Sequence, residues 1–109
     1  MTRDRSAILV VADTHRTQDL LLEYLKGSGF RVLLATDGET ALDVACHSQP
    51  DIILLDVILP GIDGFETCRR IKATPAAMDI PIIFMTALSD TQRKLDGFAA
   101  GAVDYVTKP

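Results

Sequence analysis

The stretch Asp51 to Gly64, DIILLDVILPGIDG, constrains the fold more than any other part of the chain. Ile52 to Leu55 are consecutive apolar residues, half of them β-branched, and they run into Asp56 and then a Pro60-Gly61 break. An apolar run without alternation demands a strand covered on both faces, the condition of a parallel sheet, and the Pro-Gly pair ends it in a loop. Asp56 is thereby delivered to a strand's carboxyl end, the edge at which open parallel sheets bind ligands. Taken alone, such an acid serves equally well to end a strand and solvate a turn. Its meaning depends on what the other strands bring to the same edge.

Ala7 to Val11 (AILVV) is a second unalternating run, and it leads into Asp13. From His15 to Lys26, Leu21, Leu22 and Leu25 fall at helical spacing before Gly27-Ser28-Gly29, as glycine does after a helix. Val32 to Ala35 reads as a short strand, Asp37-Gly38 as a turn, and Glu39 to His47 as a helix burying Ala41, Leu42 and Ala45 until Gln49-Pro50 stops it. Asp63, three residues before Glu66, is a carboxylate variant of the capping box, so a helix starts there, carries Phe65, Cys68 and Ile71 inward, and fades near Thr74-Pro75. Pro81 to Met85 is a further strand, with its proline where a missing donor matters least. Ser89 with Gln92 opens a helix carrying Leu95, Phe98 and Ala99, with Gly101 beyond its end, and Val103 to Val106 is a fifth strand. Strands alternating with helices give an α/β, doubly wound, five-stranded parallel sheet.

At 109 residues the chain is one domain, and its 48% apolar content suffices for a single core. Fifteen acids against eleven bases give a formal charge of −4, with the bases scattered, so no footprint for nucleic acid is visible. The polar start, Met1 to Ser6, is not a signal peptide, and no run approaches the ~20 residues of a membrane helix; a cytoplasmic location follows as an expectation. Cys46 and Cys68 lack metal-ligand spacing and read as small buried thiols. His15 and His47 read as solvated side chains.

The residues that end the strands form a pattern. Asp13, Asp56, Thr86 and Lys108 put two carboxylates, a hydroxyl and an ammonium at one edge. Two acids can hold a hard divalent cation such as Mg²⁺, which takes about six oxygens and keeps several waters. The hydroxyl and ammonium can hold an anionic group beside it. Such a site favours phosphoryl transfer to Asp56, with the cation and Lys108 stabilising charge on the transferring group.

Four segments in order, LVVAD (Leu9 to Asp13), LLDVILPGIDG (Leu54 to Gly64), MTA (Met85 to Ala87) and AVDYVTKP (Ala102 to Pro109), make the whole chain resemble the response-regulator receiver domains of two-component signalling. The resemblance implies a flavodoxin-like sheet in the order 2-1-3-4-5. It implies that Asp56 accepts phosphate from the phosphohistidine of a sensor histidine kinase or phosphotransfer protein. Asp13, Asp56 and the carbonyl of Ile58 would hold Mg²⁺, Thr86 and Lys108 would bind the phosphoryl group, and Ala87 would let its backbone approach. Pro109 would follow a cis bond. Thr86 and Tyr105 would form the switch, the ring moving inward as the hydroxyl moves toward phosphate. The chain is then a signalling protein that assists its own phosphorylation rather than an enzyme.

Two departures bear on this. Receivers usually carry adjacent acids after the first strand, and here the pair is Ala12-Asp13, a loss of about one charge that can weaken metal binding 10 to 100-fold. Ile58 and Leu88 are apolar beside the site, which implies little help for an attacking water and a long-lived phosphoryl group. The family also continues into a fifth helix, whereas this sequence stops at Pro109, so residues 1–109 read as a receiver domain truncated at its C-terminus or part of a longer protein, with an effector domain or a kinase attached, or with another chain, a homodimer partner among the options, covering the face. An alternative is a pseudo-receiver interaction module, not phosphorylated because of Ala12. A phosphatase of the haloacid-dehalogenase type is a third class, disfavoured because Asp56 is followed by Val57-Ile58 rather than by an acid two positions on.

Overall fold

A computed structural model of the chain describes residues 6–13, 15–25, 27, 29–86, 101 and 104–107. The order is β1 (Ala7–Val11), α1 (His15–Leu25), β2 (Arg31–Ala35), α2 (Gly38–Ser48), β3 (Ile52–Asp56), α3 (Gly64–Lys72), β4 (Ile82–Thr86) and β5 (Asp104–Thr107). The five strands form one parallel sheet in the order β2-β1-β3-β4-β5. The helix expected from Ser89 lies outside the described residues.

The first unalternating run behaves as its composition requires, since all of β1 is buried, whereas in β3 Ile52 and Leu54, on the α1 side, are only half-buried. Alternate residues serve two apolar layers. Leu9, Val11, Ile53, Leu55, Ile82 and Phe84 pack with Ala41 and Ala45 of α2 and Cys68 and Ile71 of α3. Ile8, Val10, Ala12 and Met85 pack with Leu21 of α1. Phe65 meets Phe84 edge-on, with ring centroids 5.1 Å apart, a contact worth about 1 kcal/mol beyond its buried area. Burial pushes the Cys68 thiol up to about 11, so it is protonated and inert at neutral pH, whereas Cys46 is only half-buried, not the buried thiol expected. Its place on α2 is at the margin of the core rather than in it.

Two further local expectations are corrected. Asp37-Gly38 is not a free turn: Asp37 is the N-cap of α2, its carboxylate accepting from the Thr40 N–H at 2.7 Å, and Gly38 is the first helical residue. A Cβ on Gly38 would run into Thr67 Oγ1 and the Ile62 side chain, so glycine permits the close approach of α2 to α3. The Asp63 capping box is half formed. Asp63 accepts from the Glu66 N–H at 2.8 Å, but the Glu66 carboxylate turns to Arg69 and Arg70, at 3.1 and 2.9 Å, because cations one turn along are better partners than a backbone donor.

The Asp37 carboxyl is held below the usual range, first by the Thr40 backbone hydrogen bond and then by the Thr40 hydroxyl. A depressed carboxyl stabilises the fold above its unfolded value and loses that contribution as pH falls through the folded one. Asp37→Ala is expected to lower stability by about 1 kcal/mol near neutrality, and denaturant titrations of the two proteins should converge in acid.

Asp51 shapes the other end of the sheet. Its carboxylate accepts from the Ala7 N–H at 2.7 Å while its own N–H donates to the Ala7 carbonyl at 2.8 Å, locking β1 to β3. That lock fixes the register from which the opposite edge follows.

Candidate functional site

All strands being parallel, their carboxyl ends share one edge. Val11 pairs with Leu55 and Asp56 with Met85. Continuing the first register by one residue places Ala12 beside Asp56. On the far side, Met85 pairs with Val106 and Thr86 with Thr107, two residues after Tyr105. Asp13, Asp56 and Thr86 therefore stand at one rim. Lys108, Ala87, Leu88 and Pro109 lie outside the described residues.

Asp56 is the last residue of β3 and only 3% exposed, although it carries a carboxylate. Its parity along β3 puts it in the layer of Ile52 and Leu54, facing the α1 side. Within the sheet it is flanked by Ala12 and Met85, both buried. At position 12, beside Asp56, the apolar layer therefore ends in a methyl group rather than a second acid. Asp13, the residue after Ala12, is exposed.

The loop after β3 folds over this carboxylate. The Ile58 N–H donates to Asp56 Oδ1 at 3.4 Å, and the Ile58 side chain is 65% exposed. The Gly64 N–H donates to the Val57 carbonyl at 2.8 Å. A Cβ at Gly64 would strike the Asp56 carbonyl oxygen and lie 2.9 Å from Val57 Cα. Backbone therefore packs on backbone, which only glycine allows, and the start of α3 is pinned to the end of β3 and the residue that follows it.

Among the described residues no three His, Cys, Asp or Glu side chains gather as a metal cluster. A hard cation does not need three here. Asp13 and Asp56 are oxygen donors at one rim, and the Ile58 peptide already lies against Asp56, so the donor set suits Mg²⁺ with waters filling the remaining positions.

Two contributors to the edge were not singled out from sequence. Gly64 is one. The other is Gln18 of α1, 5% exposed, whose amide donates to the Ala12 carbonyl at 2.8 Å and the Ala35 carbonyl at 3.4 Å. The available signal was position: Gln18 precedes Leu21 by three residues and Leu25 by seven, a polar side chain on the apolar stripe.

A five-stranded parallel sheet in the order β2-β1-β3-β4-β5, wound through helices, with acids at its carboxyl edge, defines a flavodoxin-like α/β fold. The chain belongs to the response regulator receiver domain family, whose profile matches residues 8–109. It is 44% identical over 102 residues to the response regulator PleD of Caulobacter vibrioides, covering 94% of this chain and 22% of that protein. It is 41% identical to the DNA-binding dual master transcriptional regulator RpaA of a Synechocystis strain, covering 94% of this chain and 42% of that protein. The chain thus spans less than half the length of these relatives. Among solved structures, a putative response regulator from Chloroflexus aurantiacus superposes with a TM-score of 0.91 at 39% identity, over 96% of this chain and 86% of that one. The receiver domain of the sensor histidine kinase PA1611 of Pseudomonas aeruginosa, with magnesium in its active-site cleft, superposes with a TM-score of 0.88 at 34% identity, over 96% and 86% of the two chains.

Proposed function

We propose that residues 1–109 form a receiver domain that takes a phosphoryl group on Asp56 from the phosphohistidine of a sensor histidine kinase or phosphotransfer protein. The observation that carries this reading is a buried carboxylate at the end of β3, beneath a loop whose Ile58 N–H reaches it. One Asp56 oxygen attacks phosphorus as the phosphorus–nitrogen bond of the donor breaks. The electron pair returns to the imidazole, which takes a proton, and an acyl phosphate remains.

Asp13, Asp56 and the Ile58 carbonyl would hold Mg²⁺, which when bound neutralises charge on the phosphoryl oxygens. Thr86, the Ala87 backbone and Lys108 would bind the phosphoryl group. Thr86 and Tyr105 would carry the switch to a surface read by an effector domain in the same longer chain or by a second copy of this domain. The domain is a signalling module acting in the cytoplasm, with no nucleic-acid contact of its own; no helix among the described residues is long and apolar enough to cross a membrane. Adding beryllofluoride with Mg²⁺ tests the reading through the Tyr105 fluorescence, isolated in a Tyr24→Phe background because Tyr24 is the second tyrosine of the chain. A saturable change that Asp56→Asn abolishes supports it, and an unchanged spectrum with Asp56 intact overturns it.

The second reading, an interaction module without phosphorylation, is favoured by one observation: Ala12 fills the place of the missing acid. Ala12→Asp decides how much that matters. A carboxylate in that fully buried place is expected to lower the unfolding temperature in EDTA. Added Mg²⁺ should restore it, with an affinity about tenfold tighter than in the parent protein. Equal affinities, measured by calorimetry, would mean that position 12 plays no part in metal binding.

The exposed Ile58 side chain beside Asp56 offers no hydrogen bond to an attacking water. The phosphorylated protein should therefore persist for minutes to hours, and Ile58→Asn should shorten its lifetime, as followed by phosphate release. Decay within seconds in the parent protein would contradict this.

A further inference from the structure

Gln18 is a buried polar side chain on α1, in the layer that Ile8, Val10, Leu21 and Met85 make apolar. Its amide nitrogen reaches two backbone carbonyls on two different strands, Ala12 just after β1 and Ala35 at the end of β2. The Ala35 carbonyl also receives the Ala12 N–H at 3.1 Å, so the side chain ties α1 to the point where β1 and β2 stop pairing. The Ala12 carbonyl belongs to the same peptide plane as the Asp13 N–H. Fixing that carbonyl fixes the plane from which the Asp13 side chain leaves the sheet.

We propose that Gln18 is a positioning residue for Asp13, holding the first carboxylate of the metal site in register with Asp56. This rests on the reading of Asp13 and Asp56 as magnesium ligands. Where receivers carry adjacent acids, two charges share the work of defining the site; here Ala12 supplies none, and the orientation of Asp13 depends on backbone. A neutral amide suits that role because it donates to carbonyls without placing a charge in the apolar layer. Outer partners of metal ligands commonly matter tenfold or more in affinity.

The test compares Gln18→Met, which keeps length and apolar stem but has no donor, with Asp13→Asn and the parent protein. Mg²⁺ affinity is read by calorimetry, and phosphorylation by acetyl phosphate is followed against Mg²⁺ concentration. Gln18→Met is expected to raise the magnesium dissociation constant about tenfold. The rate at saturating Mg²⁺ should stay within about twofold of the parent, a split that lost stability does not produce. If Asp13→Asn weakens binding and Gln18→Met does not, the positioning role is overturned and the metal site stands. If Asp13→Asn leaves binding unchanged, the site reading falls and this inference with it. Should Gln18→Met fail to fold by circular dichroism, the parent protein decides. The Gln18 side-chain amide resonances should shift with Mg²⁺ along the same saturation curve as the Asp13 amide, and resonances that do not move overturn the proposal.

Discussion

Asp56→Asn is expected to abolish phosphoryl incorporation while leaving the fold intact. The carboxylate is 3% exposed at the end of β3, and an amide of the same shape can still accept from the Ile58 N–H. Packing against Met85 and Ala12 is unaffected by the exchange. What is lost is the anionic oxygen: an amide is not a nucleophile toward phosphorus, and the proposed magnesium site would forfeit one of its two charged oxygen ligands. Incubation with acetyl phosphate and Mg²⁺ should leave the mass of the variant unchanged and the unfolding temperature close to that of the parent. Undiminished incorporation would move the acceptor elsewhere.

Gly64→Ala is expected to be the most destabilising single-methyl change in the β3–α3 connection. The added carbon meets the Asp56 carbonyl oxygen and Val57 Cα, backbone atoms that cannot rotate aside. Overpacking of this kind typically costs about 1–3 kcal/mol, and the upper end, about 3 kcal/mol, is expected here. For a domain of this size that lowers the unfolding temperature by roughly 10 to 20 °C. Phosphorylation should fall with it, since relief of the clash displaces the residues that carry Asp56 and Ile58. Gly61, with φ 74° and open space around it, provides the contrast: alanine there meets only backbone strain, about 1 kcal/mol. Equal losses at the two positions, measured by urea denaturation, would contradict the close-packing account.

The sheet was legible because buried parallel strands leave an unambiguous record. Ala7 to Val11 and Ile52 to Leu55 are apolar without alternation, and both emerged as strands with an acid just beyond or at their ends. The strand order came from the resemblance and not from periodicity, which carries no information on neighbours. Asp37 was harder: Asp-Gly is a strong turn signal, whereas here the Asp37 carboxylate caps a helix at the Thr40 N–H and glycine follows because Thr67 and Ile62 leave no room for a Cβ. The Glu66 half of the capping box failed because Arg69 and Arg70 compete for it, a contest visible in the sequence but not decided by it. Gly64 and Gln18 escaped for a common reason. Each acts on the backbone of a distant segment, and the chain's own order says nothing about which carbonyl lies opposite.

The central claim is that Asp56 accepts phosphate at the carboxyl edge of the sheet. Intact-mass spectrometry after incubation with acetyl phosphate, with Mg²⁺ or with EDTA, tests it most directly. One phosphoryl group should appear with Mg²⁺ only, reside on the peptide containing Asp56, and be removed by hydroxylamine as an acyl phosphate. An unmodified mass with Mg²⁺ present, or a phosphate stable to hydroxylamine on another residue, would contradict the account.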